Sequence, residues 1–331
     1  MKHLEMTSAA ERKAFRKDVR RTSNHIALGA FLFTIVGSAV AGLAILILLA
    51  VNGQDLLSGP DNLADILKFI ESIPFVEVVE IISSLCGLLA VFLCFAKQGT
   101  HKQLLVKNKS MSLPILGALI CVMCLFDSVG VMFYGLTEYG LNQFGFSTTS
   151  GMEMASNLGV SLATLIGSCI IAPIVEELVF RGFLLRRMEK HGKVTAIGIT
   201  SVLFGLMHQN LPQIMPAMMI GLVWGYVATE YSLGWSIVLH VFENLVRVTL
   251  LNNLMAGLSV QVQGIARITL MAATAIIAIV ILIRNREHIC TWIRENMQNK
   301  STLIGALCAP VMILTIAYYI INTISIIEKI G

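Results

Sequence analysis

Three short clusters in this chain have residue types and spacing suited to hydrolytic chemistry. They are Glu176-Glu177-Leu178-Val179-Phe180-Arg181, Phe204-Gly205-Leu206-Met207-His208 and His240-Val241-Phe242-Glu243-Asn244. Glu177 and Arg181 are four apart and share a helix face, where a guanidinium can hold a carboxylate through two hydrogen bonds. Glu176 is turned about 100° away and can address a different partner. Phe204 shares a face with His208, and His240 with Asn244. Carried on three helices of one bundle, these groups have the parts of a polar chamber. A carboxylate can activate water, imidazoles can bind or move protons, and an amide can donate to an oxyanion. Glu176, His208 and His240 also make a His₂Glu set of the kind that holds catalytic zinc.

Each cluster also has an ordinary structural reading. A lone histidine in an apolar helix can be a packing donor, Phe204 can be core, and Glu177 with Arg181 can be a structural ion pair. The conjunction of all three, in order along neighbouring apolar runs, is what points to a site. Glu77, Glu80 and Asp127 belong to none of these clusters, and Glu243 and Arg247, four apart, are expected to pair. Other protease patterns fit worse. There is no HExxH and no Gly-x-Gly-Asp, and Gly159-Val160-Ser161-Leu162 is only a superficial Gly-x-Ser match. Cys121-Val-Met-Cys124 has CxxC spacing but no second pair.

The elements that must position these residues are membrane helices. Hydrophobic residues make up 56% of the 331 and charged residues only 13%, about half the charged share of a soluble domain. Mean hydropathy is +0.79. These values exclude disorder, a disulfide scaffold and an ordinary water-soluble enzyme. They predict an all-α polytopic transmembrane bundle of eight to nine spans. Apolar runs fall at about 26–51, 75–96, 113–136, 158–180, 194–208, 213–229, 235–254, 265–283 and 303–327. The run at 194–208 is short of the ~20 residues that cross a bilayer, so it is expected to end inside the membrane with His208 facing a wet chamber. Ionisable groups at such depth are costly and mark function by default.

With alternating spans, the loops on the N-terminal side hold 20 of the 24 Lys and Arg. The positive-inside rule therefore puts the N-terminus in the cytoplasm. The basic segment 1–25 is read as lipid contact and topology signal, not as a nucleic-acid patch. Behind it come N-terminal spans with outer loops (26–157), a dense membrane core (158–254) and C-terminal spans (255–331). Gly221 and Gly225 form a GxxxG that signals close helix packing. The C-terminal Glu328-Lys329-Ile330-Gly331 is no retention signal, and the expected location is a bacterial plasma membrane.

In these motifs the sequence resembles the CPBP family, the CAAX proteases and bacteriocin-processing proteins, also called the Abi family. The family pattern EExxxR, FxxxH, HxxxN stands intact as Glu176-Glu177…Arg181, Phe204…His208 and His240…Asn244. It covers about residues 158–250. The resemblance implies an α-helical intramembrane endopeptidase with a core of about eight helices, acting on a membrane-associated or lipidated peptide or protein within the bilayer. It implies that Glu176 activates water, that Glu177 is held by Arg181, that His208 and His240 assist, that Asn244 serves the oxyanion and that Phe204 packs the site. The preferred reading needs no tightly bound metal; zinc or another divalent ion on Glu176, His208 and His240 is the alternative. A non-catalytic scaffold or immunity protein and a proton-coupled transporter are the competing functions. The intact triplet argues against the first, and the lack of an internal repeat argues against the second.

Overall fold

A computed structural model describes residues 9–51, 76–97, 99–104, 106–148, 162–298 and 300–330. The backbone is almost entirely helical, as apolar segments must be where no water can satisfy their amides. α1 (Ala9–Val51) is one unbroken helix of 43 residues. At 1.5 Å per residue it is about 65 Å long, twice a bilayer core, so the basic segment from Ala9 onward is a continuation of the first span. α2 (Val76–Ala96) and α3 (Leu113–Gln143) follow. α4 is a composite path of Leu162–Ile166, Gly167–Ile171, Ala172–Glu177, Leu178–Leu185 and Arg186–Met188. Its second and fourth pieces are π-helical, and the backbone stays helical across every junction. Pro173 cannot donate to the preceding turn, and the first π turn lies just before it.

α5 (Lys193–Leu206) and α6 (Leu211–Glu230) form a hairpin. α7 (Leu233–Phe242) runs on through a π-helical Glu243–Leu250 into Leu251–Met255. α8 (Val260–Arg284), α9 (Arg286–Asn296), α10 (Lys300–Leu307) and α11 (Pro310–Ser325) complete the described helices. Among the described residues, five helices are long and apolar enough to cross a membrane, namely Ala9–Leu48, Val78–Ala96, Leu113–Gln143, Leu211–Glu230 and Val260–Arg284. Lys193–Leu206, Leu233–Val246 and Pro310–Ser325 are shorter apolar helices. The described parts of the nine apolar runs are largely helical, but the run at 194–208 leaves the helix after Leu206 and the run at 303–327 is broken between Leu307 and Pro310.

The packing separates a lining from a core. α1, α2, α3, α8 and α11 expose large apolar side chains such as Leu43, Leu93, Leu136, Ile268 and Leu314. So much open apolar surface belongs against lipid. The second π segment of α4 is buried from Val179 to Leu185, and α5 and α6 are largely buried with it. Gly130 of α3 lets α6 approach: a Cβ there would lie 2.5 Å from Pro216 Cα. The GxxxG works in the same way, with Gly225 against Ile197 and Gly221 against Ser201 and the Arg181 guanidinium.

The two ends of the bundle differ. At one end Lys109 and Lys193 pair with Glu230 at 2.5 and 2.7 Å, Lys190 pairs with Asp18 at 2.6 Å, and Arg186 bonds Glu189 and the Ala228 carbonyl. At the other end β1 (Phe146–Ser147) pairs antiparallel with β2 (Glu328–Lys329), Phe146 opposite Lys329 and Ser147 opposite Glu328. That pairing puts the loop after α3 and the segment after α11 on one face of the bundle. Residues 149–161, which hold most of the Gly159–Leu162 tetrapeptide, lie outside the described residues, as does the Arg247 side chain expected to pair with Glu243.

Candidate active site

The α4 path delivers Glu176 and Glu177 to opposite environments. Glu177 and Arg181 are both fully buried. Arg181 Nη1 donates to Glu177 Oε1 at 2.7 Å, the pair that i,i+4 spacing predicts. The carboxylate is completed from α7: Ser236 Oγ donates to Oε2 at 2.5 Å, and His240 Nδ1 lies 3.1 Å from Oε1. Arg181 Nη2 reaches the Gly221 carbonyl at 3.4 Å, and the guanidinium carbon sits 4.3 Å from the Phe204 ring centre and 5.4 Å from that of Trp224. A buried charge pair is tolerable only with such supplementary donors and acceptors.

His240 is clamped. Its ring stacks on Trp224 with centroids 3.8 Å apart and an interplanar angle of 23°, and Phe204 meets it edge-on. With Nδ1 against the Arg-paired carboxylate, the proton is assigned to Nδ1 and the Nε2 lone pair turns outward. Nε2 lies 3.7 Å from Glu176 Oε2. Glu176 lies one step around the helix from its neighbour, with about a fifth of its side chain exposed. It lines a cavity of about 410 Å³ together with His208, Ser168 and residues of α1 and α2. His208 Nδ1 faces the Phe204 carbonyl at 3.0 Å, and its ring stands edge-on to Phe204. Phe204 thus touches Arg181, His208 and His240.

Six of the seven expected residues, Glu176, Glu177, Arg181, Phe204, His208 and His240, converge. Asn244 meets this group through Ser168, which lines the cavity. The helix becomes π-helical at Glu243, so the turn after His240 is wider than the spacing of an α-helix assumes. Asn244 Nδ2 donates to the Ser168 carbonyl at 3.0 Å, and its own backbone carbonyl accepts from Cys169 Sγ and Thr249 Oγ1. Among the described residues no three His, Cys, Asp or Glu side chains converge closely enough to hold a metal ion. Glu176, His208 and His240 as arranged are therefore not a ready ligand set.

Sequence reasoning missed several partners. Ser236 and Trp224 read as ordinary members of apolar helices, and only the three-dimensional contact with Glu177 and His240 singles them out. Glu80, left unassigned in the sequence, lines the same cavity as Glu176. So do Phe33, Thr34, Gly37 and Ser38 of α1 and Ser83 and Ser84 of α2, from a region with no motif.

Together the lipid-facing helical bundle and its buried carboxylate–imidazole cluster define an integral membrane protein with the parts of a hydrolase. Comparison with protein families agrees: residues 158–246 match the family described as Rce1-like, type II CAAX prenyl endopeptidase Rce1-like. This segment takes in α4, α5, α6 and α7 as far as its π-helical part and contains all three clusters. No curated protein and no solved structure matches the chain.

Proposed function

We propose that the chain is an intramembrane endopeptidase that hydrolyses a peptide bond in a membrane-associated or lipidated peptide or protein. One observation carries the reading. Glu176 faces a cavity beside an imidazole whose other nitrogen is fixed by a buried, Arg-paired carboxylate. In the mechanism, a water held by Glu176 and His240 Nε2 gives its proton to Glu176 as it adds to the scissile carbonyl carbon. The proton then passes to the departing amide nitrogen, directly from Glu176 or through His240 Nε2. Glu177 and Arg181 do not touch substrate; they set the His240 tautomer and ring orientation, and Ser236 holds Glu177. His208, which shares the cavity with Glu176, orders the water. Asn244 acts as a positioning residue, fixing the Ser168 turn that floors the cavity. No step in this scheme passes through a metal.

The same cluster without turnover would be a scaffold. Cleavage of a tagged membrane peptide by purified protein, compared with Glu176→Gln, separates the two. Equal product from both proteins, or none from either, defeats the hydrolytic reading.

A further inference from the structure

The cavity wall has a direction. On every element, the residues lining the cavity lie at the end remote from the basic belt. In α1 they run from Phe33 to Ala41, while the basic residues end at Arg21. In α2 they are Glu80–Ser84, seventeen to thirteen residues from Lys97. In α4 they end at Glu176, ten residues before Arg186, which is ~15 Å at 1.5 Å per residue. In the α5–α6 hairpin they are Met207–Gln213, while Lys193 and Glu230 close its opposite end. Against a hydrocarbon core ~30 Å thick, Glu176 sits near mid-depth and the cavity extends from it away from the basic end.

The lining sets groups that can meet a main chain among apolar side chains such as Phe33, Ile81, Ile171 and Met207. Thr34, Ser38, Ser83, Ser84 and Ser168 supply hydroxyls, and Gly37 and Gly167 leave room for close backbone approach. Ser83 Oγ is buried with no hydrogen-bond partner among the described residues, and a buried hydroxyl of that kind wants one. Glu80, Gln209 and Gln213 give the described rim a polar character.

We propose that this cavity is a slot for an extended peptide that enters from the non-cytoplasmic face, with its main chain along the α1–α2 wall and the scissile bond at Glu176. The inference rests on the proposed hydrolytic function and adds the side of access and the substrate class. The substrate is a peptide segment presented at the non-cytoplasmic leaflet, not a cytoplasmic C-terminal tail. The orientation follows from the positive-inside rule applied to the basic end.

The test uses the full chain without its native cysteines, carrying Gln213→Cys or Ser38→Cys in the cavity or Arg286→Cys at the basic end. An impermeant thiol reagent is applied to intact cells and to inverted vesicles. The cavity cysteines should label in cells and the Arg286→Cys protein only in inverted vesicles. Labelling of both cavity positions only from inverted vesicles, or of neither from cells, overturns the proposal. A second arm tethers a tagged peptide to the outer leaflet of sealed vesicles of each orientation. Cleavage confined to vesicles with the non-cytoplasmic face outward supports the proposal, and cleavage confined to the opposite orientation overturns it. A peptide cut in neither would defeat the hydrolytic reading, while the labelling result would still decide the side of access.

Discussion

Removing Arg181 alone should be among the most damaging single changes available to this protein. An exposed i,i+4 ion pair contributes only about 0.3–0.5 kcal/mol. Here both partners are fully buried, and among the described residues the guanidinium is the only full positive charge within bonding distance of Glu177. Arg181→Met would leave that carboxylate with Ser236 and His240 as donors. It would also remove the cation from the faces of Phe204 and Trp224. Breaking one side of a buried pair costs about 3–5 kcal/mol, while replacing both charges with neutral groups of similar volume is often nearly neutral. We therefore expect Arg181→Met to lose about 3–5 kcal/mol, and Glu177→Gln combined with Arg181→Met to recover most of it. Unfolding of purified protein in mixed micelles by rising dodecyl sulfate, followed by circular dichroism, measures both. If the single variant stays within about 1 kcal/mol of the parent, or the double variant is as unstable as the single, the buried-pair account is wrong.

Other expectations follow from the same geometry. Glu176→Gln should fold normally and lose at least about 10²-fold in turnover of a tagged membrane peptide, the low end for a general base; near-normal activity would remove Glu176 from the mechanism. Gly130→Val should lower stability by about 1–3 kcal/mol through overpacking against Pro216, read by the same micelle titration, whereas a neutral outcome would mean that α3 and α6 can separate freely. Burial, with the nearby Lys190 charge, lowers the His191 imidazole from its ordinary 6.5 to about 4 despite Asp18. The unfolded chain then binds a proton that the folded chain refuses, so stability should fall as pH drops from about 6.5 to about 4. His191→Gln should flatten that slope, and an unchanged slope would assign it elsewhere. Metal analysis of active protein should find no stoichiometric zinc and turnover should survive a chelator; zinc-dependent loss and recovery would instead make Glu176, His208 and His240 ligands.

The sequence disclosed the site where helical arithmetic held. The Glu177–Arg181 pair follows from a spacing of four, and the divergence of Glu176 from a spacing of one. The π turns carry no composition signal, and nothing in the sequence marked that Asn244 would donate to the Ser168 carbonyl beside the cavity. Ser236 and Trp224 were hidden because a serine or tryptophan in an apolar helix carries no periodic signature of its partner. The α1–α2 wall was hidden for a related reason: small hydroxylated residues among apolar ones look like packing until an opposing helix is placed. The apolar runs were legible in the sequence, but of the eight to nine expected spans only five described helices are long and apolar enough to cross a membrane. Which runs form long straight helices depended on breaks, such as that between α10 and α11, that hydropathy alone does not show.

The α4 path also bears on how the protein is made. Glu176, Glu177 and Arg181 each cost about 2.5–3.5 kcal/mol at the centre of a helix leaving the translocon. Two of Glu177's three partners, Ser236 and His240, are synthesised roughly sixty residues later. While it waits, α4 is poorly suited to lie alone in lipid. Its stable insertion is therefore tied to delivery of the α5–α6 hairpin and α7, and chains stalled before Ser236 should be recognised by membrane quality control as incompletely integrated.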